Sequence, residues 1–322
     1  MAYALLFPGQ ASQQVGMGAD FRRLSPTARE IFEAIDAATQ LPISQVIEEG
    51  PLDRLTETQF AQPAVVATSL ATLAVLRERL ERSTAPRPAF CAGHSVGELA
   101  ALAAAEALDT QTALQLVARR ATLMAEGCSH VDGTMAAVLG LDEVALQSLC
   151  EEASRAAGRT VQVANINSPD QLVVSGHAEA VAWLEREGRE RGARRVIRLN
   201  VGGPFHSEYL RDAANAFARD LENVPIRSPR TPVVLNQTAR ASSDAAEIRR
   251  ELGAQIAAPV RWADSLRLMA DAGCTLFVEV GPGQVLAGLV RRTVPEARTI
   301  GVQDEAGLDA AVAALVQMGD HK

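Results

Sequence analysis

The pentapeptide Gly93-His94-Ser95-Val96-Gly97 constrains this chain more than any other feature. The pattern Gly-x-Ser-x-Gly needs a strand running in and a helix leaving, joined by a turn that leaves little room for Cβ atoms beside the serine. The flanks supply both elements. Ala85–Ala92, bounded by prolines, reads as a short strand, and Glu98–Ala107 is rich in alanine and leucine and strongly helix-forming. The pentapeptide alone is a frequent chance match, and a structural glycine-rich turn is the competing explanation. In this context it specifies an elbow that lifts the Ser95 hydroxyl beside the start of a helix, where backbone N–H groups can stabilise a developing oxyanion.

Element order extends the constraint to the whole chain. A first strand at Tyr3–Phe7 stops at the Pro8-Gly9 turn signal, and helices follow at Pro26–Gln40 and Pro63–Arg82. After the elbow helix, Asp109 or Thr110 caps another helix that runs to about Glu126. The pattern then changes. Strands at Thr134–Leu139, Val161–Ile166, Gln171–Ser175 and Arg194–Leu199 alternate with helices at Asp142–Ala157 and Ala178–Arg191. That β-α-β-β-α-β order is the ferredoxin-like split arrangement. The expected fold is therefore α/β: a large domain (1–127 and 201–322) with a mainly parallel sheet and a nucleophile elbow, and an inserted ferredoxin-like small domain (128–200). A strand at Leu276–Val280 feeds Gly281-Pro282-Gly283 and a final pair of helices.

Composition narrows the function classes. The 322 residues carry a net charge of -8, which argues against nucleic acid or an anionic membrane as partner. Cys91, Cys128, Cys150 and Cys274 lack CxxC spacing, so neither a zinc site nor a disulfide framework is expected, and reduced thiols suit a reducing compartment. The uncharged stretch from Thr58 to Leu76 is interrupted by Gln59, Gln62, Thr68, Ser69 and Thr72, so it reads as a buried helix and not a membrane span. The start of the chain lacks a basic segment and its apolar run breaks at Pro8, so no signal peptide is expected and the cytoplasm is the default.

A serine nucleophile at neutral pH needs a base within hydrogen-bond reach. Of five histidines, His321 lies in the terminal tail, His94 adjoins the serine but leaves the turn in another direction, and His130 and His177 sit at a junction and a turn. His206, in Gly202-Gly203-Pro204-Phe205-His206-Ser207, remains, in a loop that returns to the large domain. Arg120 shares a helical stripe with Ala113, Leu116, Val117 and Met124, whereas Arg119 lies with Thr112, Gln115 and Thr122 and is solvated. An inward guanidinium requires an anionic partner. Periodicity leaves two candidates, an internal carboxylate, which it favours, or a substrate carboxylate. Gln10 follows the first strand directly, where its N–H is placed either for an oxyanion hole with that of Val96 or simply in a strand-to-helix turn.

Taken together the segments resemble the malonyl-CoA:acyl-carrier-protein transacylase family. The resemblance runs nearly end to end: Phe7-Pro8-Gly9-Gln10, Gln62-Pro63-Ala64, the elbow with Glu98, Arg120 with Met124, Asn165-Ile166-Asn167-Ser168-Pro169, Pro204-Phe205-His206-Ser207, Gln255 through Trp262, and Glu279-Val280-Gly281-Pro282-Gly283. Each motif is moderately specific, and their common order is highly so. The resemblance implies Ser95 as nucleophile, His206 as base, Arg120 as the malonyl carboxylate ligand, and the N–H groups of Gln10 and Val96 as the oxyanion hole. It implies a main-chain carbonyl at Gln255 orienting His206, with no catalytic aspartate and no metal, and Phe205 excluding an α-methyl branch. Ala11 departs from the family, which usually has glycine there.

The activity so implied is transfer of malonyl from coenzyme A to the phosphopantetheine thiol of an acyl carrier protein for fatty acid biosynthesis, by a monomer without a permanently bound cofactor. Rivals are a discrete acyltransferase of a polyketide synthase, a serine thioesterase or esterase, and a non-catalytic carrier-binding module, which would have lost Ser95, His206 or Arg120. A dinucleotide site at Gly281-Pro282-Gly283 lacks the third glycine. Arg191, Arg194, Arg195 and Arg198, or Arg291 with Arg292, are candidate docking patches for the carrier protein.

Overall fold

A computed structural model describes residues 2–320. Among the described residues ten strands form in chain order: β1 Ala2–Phe7, β2 Phe90–Gly93, β3 Gly133–Leu139, β4 Val161–Ser168, β5 Gln171–His177, β6 Arg195–Arg198, β7 Val233–Val234, β8 Ala241–Ser242, β9 Cys274–Val280 and β10 Arg298–Val302. The larger sheet has the order β10-β9-β1-β2-β7-β8, and every pairing in it is parallel except β7 with β8. Its central strand β1 is apolar throughout, as a parallel strand covered on both faces must be. Alternate side chains serve opposite cores. Tyr3, Leu5 and Phe7 pack with residues of the Thr58–Leu80 helix such as Val66 and Leu73, whereas Ala4 and Leu6 pack with Trp262, Leu266 and Leu289.

The second sheet has the order β4-β5-β3-β6 and is antiparallel throughout. Ala136, Val138 and Val174 face Leu146, Leu149, Val181 and Leu184 on the helices Glu143–Ala157 and Ala178–Glu187. Met135 and Val173, one residue out of phase, join the main core and wall the cavity beside Ser95. The edge strand β4 also grips the large sheet's side of the molecule. Ile166 N–H donates to Val260 O at 2.9 Å, and Val260 N–H donates to Ala164 O at 2.8 Å. That bridge holds the segment that follows Gln255.

The mixed α/β class follows from the element order, and most elements fall where periodicity places them. Three departures have clear physical reasons. The helix expected from Pro63 begins at Thr58 and contains Pro63. The carbonyl deprived of its partner belongs to exposed Gln59, where solvent can serve, and burial of 89% of the helix's apolar window outweighs the cost. The strand expected over Ala85–Ala92 is only Phe90–Gly93, because Pro86 and Pro88 cannot donate to a ladder and pairing with β1 starts at Ala89 N–H. A short edge strand, β10, separates the two terminal helices Val285–Thr293 and Glu305–Asp320. Its five residues bury only Ile300 and Val302, too weak an alternation to read.

Candidate active site

Strand β2 ends at Gly93, and the helix Gly97–Ala104 begins four residues later. A Cβ at Gly93 would overlap the Gly97 carbonyl, and one at Gly97 would overlap the carbonyl of Phe7, so both glycines are required by close backbone approach. Ser95 between them has φ +51°, a left-handed conformation that a serine adopts only where its surroundings enforce it. Asn236 is one enforcer. Its Oδ1 accepts Ser95 N–H at 2.7 Å, and its Nδ2 donates to Gly93 O at 2.7 Å, which brackets the turn.

Ser95 Oγ lies 2.7 Å from His206 Nε2. The other ring nitrogen, Nδ1, is 3.0 Å from the carbonyl oxygens of both Gln255 and Ala258. Carbonyls only accept, so Nδ1 carries the hydrogen and Nε2 presents its lone pair to the serine hydroxyl. Burial, and then the nearby Arg120 charge, push the His206 imidazole down to about 3, so it is neutral at physiological pH.

Arg120 projects from the Thr110–Ser129 helix and is only 1% exposed, whereas Arg119 reaches Asp220 at 2.7 Å on the surface. Among the described residues Arg120 has no carboxylate within ion-pair distance, so the internal pair that periodicity favoured does not form. Nη1 donates to Gln62 Oε1 at 2.6 Å, and Nη2 donates to Gln255 Oε1 at 2.9 Å and to Ser95 Oγ at 3.3 Å. Nε has no partner among the described residues. Burial pushes the guanidinium down to about 10, opposed by the nearby charge of Glu98, and it stays cationic at pH 7. The result is a buried cation held by neutral amide oxygens beside a nucleophile.

A cavity of about 170 Å³ opens onto these groups. Gln10, Val96 and Phe205 line it, together with apolar Met124, Met135, Val201 and Leu286. Among the described residues neither the Gln10 nor the Val96 N–H donates a hydrogen bond. Ala11 sits at φ +85°, where glycine would be unstrained. The remaining histidines are occupied elsewhere. His94 Nε2 meets Asn167 Oδ1 at 2.8 Å with its ring against Trp262, His177 caps a helix, and His130 is exposed. His321 lies outside the described residues. No cluster of three or more metal-ligating side chains occurs among the described residues.

The structure brings Ser95, His206, Arg120, Gln10, Val96 and Phe205 to one cavity, with Gln255 against His206 and Arg120, but sequence reasoning missed other contributors. Ala258 supplies a second carbonyl to His206, Asn236 brackets the elbow, and the side chains of Gln255 and Glu98 join the network. Gln255 Nε2 donates to Ser95 O at 3.0 Å and to Glu98 Oε2 at 2.7 Å. Gln62 and Glu98 stood in motifs shared with the family, which was the available signal. Asn236 follows a two-residue strand and carried none.

Comparison with known proteins gives the family. Residues 4–318 match the acyl transferase domain family. The chain is 38% identical over 318 residues to the malonyl CoA-acyl carrier protein transacylase of Bacillus subtilis, covering 99% of this chain and 98% of the relative. The chain belongs to the malonyl CoA-acyl carrier protein transacylase family. Another member of that family, from Escherichia coli K12, is 36% identical over 310 residues, covering 96% and 98%. A solved transacylase structure from Coxiella burnetii superposes with a TM-score of 0.92 at 34% identity, covering 98% of each chain. A malonyl-transacylase solved in complex with its type II PKS acyl-carrier protein gives 0.91 at 33% identity, covering 98% of this chain and 100% of that one.

Proposed function

We propose that this protein transfers a malonyl group from malonyl-CoA to the phosphopantetheine thiol of an acyl carrier protein for fatty acid biosynthesis, through a malonyl ester on Ser95. One observation carries this reading. The same oxygen, Ser95 Oγ, lies 2.7 Å from a neutral imidazole and 3.3 Å from a buried guanidinium that has no carboxylate partner among the described residues. A thioesterase for neutral acyl groups has no use for that cation, whereas a diacid thioester brings the missing anion with it.

The chemistry follows from the groups present. His206 Nε2 takes the Ser95 proton as Oγ attacks the thioester carbonyl, and the oxyanion forms between the N–H groups of Gln10 and Val96. Collapse breaks the C–S bond, and the coenzyme A thiolate takes the proton back from His206. The carrier thiol then loses its proton to His206 as it attacks the malonyl ester, and Ser95 Oγ leaves and is reprotonated. The carbonyls of Gln255 and Ala258 stabilise the imidazolium in both halves, so no aspartate is needed. Arg120 fixes the distal carboxylate and with it the reacting carbonyl, a positioning contribution to rate. Phe205, buried beside His206, narrows the space at the malonyl α-carbon and disfavours a methyl branch by about 1–3 kcal/mol.

No permanently bound cofactor is required for these steps. Four buried free cysteines suit the cytoplasm, and the protein acts as a monomer, with 1–127 plus 201–322 carrying the chemistry and 128–200 forming the second wall of the cavity. Of the candidate docking patches, Arg191 and Arg198 are engaged by Glu152, Glu187 and Glu185, and Arg194 lies 3.8 Å from Asp170. Arg291 and Arg292 are exposed without ion pairs among the described residues, on the helix whose Leu286 and Leu289 line the cavity. They are the better placed pair for an acidic carrier protein. A second reading, service to a polyketide carrier protein, draws support from the type II PKS complex of similar fold. Incubation with radiolabelled malonyl-CoA should leave label on Ser95, transferable to a carrier protein; label elsewhere, or none, defeats the proposal. Parallel transfer to fatty-acid and polyketide carrier proteins separates the two readings.

A further inference from the structure

Glu98 is 1% exposed, yet among the described residues no arginine, lysine or histidine stands in ion-pair contact with its carboxylate, and the Arg120 charge acts on it only from farther off. A buried carboxylate without a cationic partner is costly and calls for a reason. Both hydrogen bonds it receives end on one atom, Oε2: the Gln255 side-chain amide donates at 2.7 Å and the Asn236 backbone N–H at 3.2 Å. The second amide hydrogen of Gln255 goes to the Ser95 carbonyl at 3.0 Å. Two groups that can only accept therefore surround the NH₂ end of Gln255, which forces its carbonyl end toward Arg120 Nη2 at 2.9 Å. Were the amide reversed, NH₂ would face a guanidinium, donor against donor, and the carbonyl would face a carboxylate.

Resting on the malonyl-transfer reading above, we infer that Glu98 is a positioning residue for acyl recognition, one that acts through Gln255 to set the orientation of Arg120. What the site needs from it is an acceptor at the right reach, not a negative charge. Burial pushes the Glu98 carboxyl up to about 7, so its charge varies near neutrality, while Oε1 remains for a proton and Oε2 keeps accepting. The His206 ring is held by main-chain carbonyls and not by the Gln255 side chain, whose amide meets Ser95 only at its backbone carbonyl.

Two variants separate reach from charge. Glu98→Gln keeps an acceptor oxygen at the Oε2 position and removes the charge. Glu98→Asp keeps the charge and withdraws the oxygen by one methylene. Glu98→Asp should raise KM for malonyl-CoA by about tenfold, the loss of a hydrogen bond that orients a charged group, while a neutral fluorophosphonate labels Ser95 within about threefold of the wild-type rate. Glu98→Gln should stay within about threefold of wild type on both measures. The opposite ranking, two variants indistinguishable from wild type, or equal loss of malonyl transfer and fluorophosphonate labelling in Glu98→Asp would each overturn the inference. Wild-type protein that labels with fluorophosphonate but never accepts malonyl would instead overturn the proposed function.

Discussion

Arg120 Nη2 stands 3.3 Å from Ser95 Oγ, so the cation proposed to hold the substrate's carboxylate also touches the nucleophile. Its two other contacts are neutral amide oxygens, so among the described residues no carboxylate stands in ion-pair contact with it until a diacid arrives. Replacing Arg120 by alanine should therefore lower kcat/KM for malonyl transfer by roughly 10²-fold or more, the scale of losing one partner from a buried charge pair. Acetyl transfer, which has no carboxylate to lose, should be spared or raised. Equal losses for malonyl-CoA and acetyl-CoA would show that Arg120 only supports the fold.

The same proximity makes a pH prediction. Burial and the Arg120 charge hold His206 down to about 3, so the base stays neutral and competent through the range where an ordinary histidine protonates. The rate of Ser95 labelling by a neutral probe should stay level from about pH 8 to about pH 5, with no limb near the usual histidine value. A bound malonyl carboxylate neutralises Arg120 and removes one of the depressing influences, so imidazole basicity rises in the complex. The acid limb of kcat, which reports the complex, should consequently lie at higher pH than that of kcat/KM, which reports the free enzyme. Coincident limbs would contradict the coupling.

Backbone geometry at the turns gives a third test. Ala11 holds φ +85° on an exposed turn, where its methyl costs about 1–2 kcal/mol relative to glycine, partly offset by glycine's larger unfolded-state entropy. Ala11→Gly should raise stability by up to about 1 kcal/mol in denaturant titration and leave transfer intact, since the Gln10 N–H is untouched. Gly93→Ala should do the reverse, because its Cβ has no space against the Gly97 carbonyl, and neither fold nor activity should survive at wild-type levels. A destabilising Ala11→Gly would mean that the loop tolerates its strain for a packing reason.

What could be read from the chain divides along the distance at which residues act. Local periodicity placed a helix from Asp109 or Thr110 to about Glu126, observed as Thr110–Ser129 with Asp109 as its cap, and the inward face of Arg120, because those depend on neighbours three or four residues apart. The same periodicity could not name Arg120's partners. Gln62 and Gln255 lie 58 and 135 residues away and are neutral, so charge counting pointed to a carboxylate that is not there. Ser95 was legible because a tight elbow demands glycines at fixed spacing. His206 needed elimination and family resemblance, since its 2.7 Å contact spans 111 residues. Asn236, 141 residues from Ser95, was out of reach of any local pattern.

One helix that lines the cavity has its own titrating anchor. Glu279, near the end of β9, accepts the N–H groups of Leu286 at 3.0 Å and Ala287 at 2.8 Å, and so tethers the Val285–Thr293 helix whose Leu286 and Leu289 line the cavity. Burial pushes its carboxyl up to about 7, with those two N–H donors opposing the rise. A carboxyl raised in the folded state binds more protons folded than unfolded, so its contribution to stability is complete below the ordinary glutamate range and is lost as pH rises through about 7. For this one group the loss amounts to roughly 3 kcal/mol by pH 8, since each tenfold change in proton affinity is worth about 1.4 kcal/mol. Glu279→Gln keeps an acceptor for only one of the two helix N–H groups, turns an NH₂ on the other and so weakens the tether at every pH, but it removes the titration, so the stability difference between pH 5 and pH 8 should shrink relative to wild type in paired denaturant titrations. An unchanged difference would place the pH sensitivity of the fold on other groups and leave Glu279 as a tether alone.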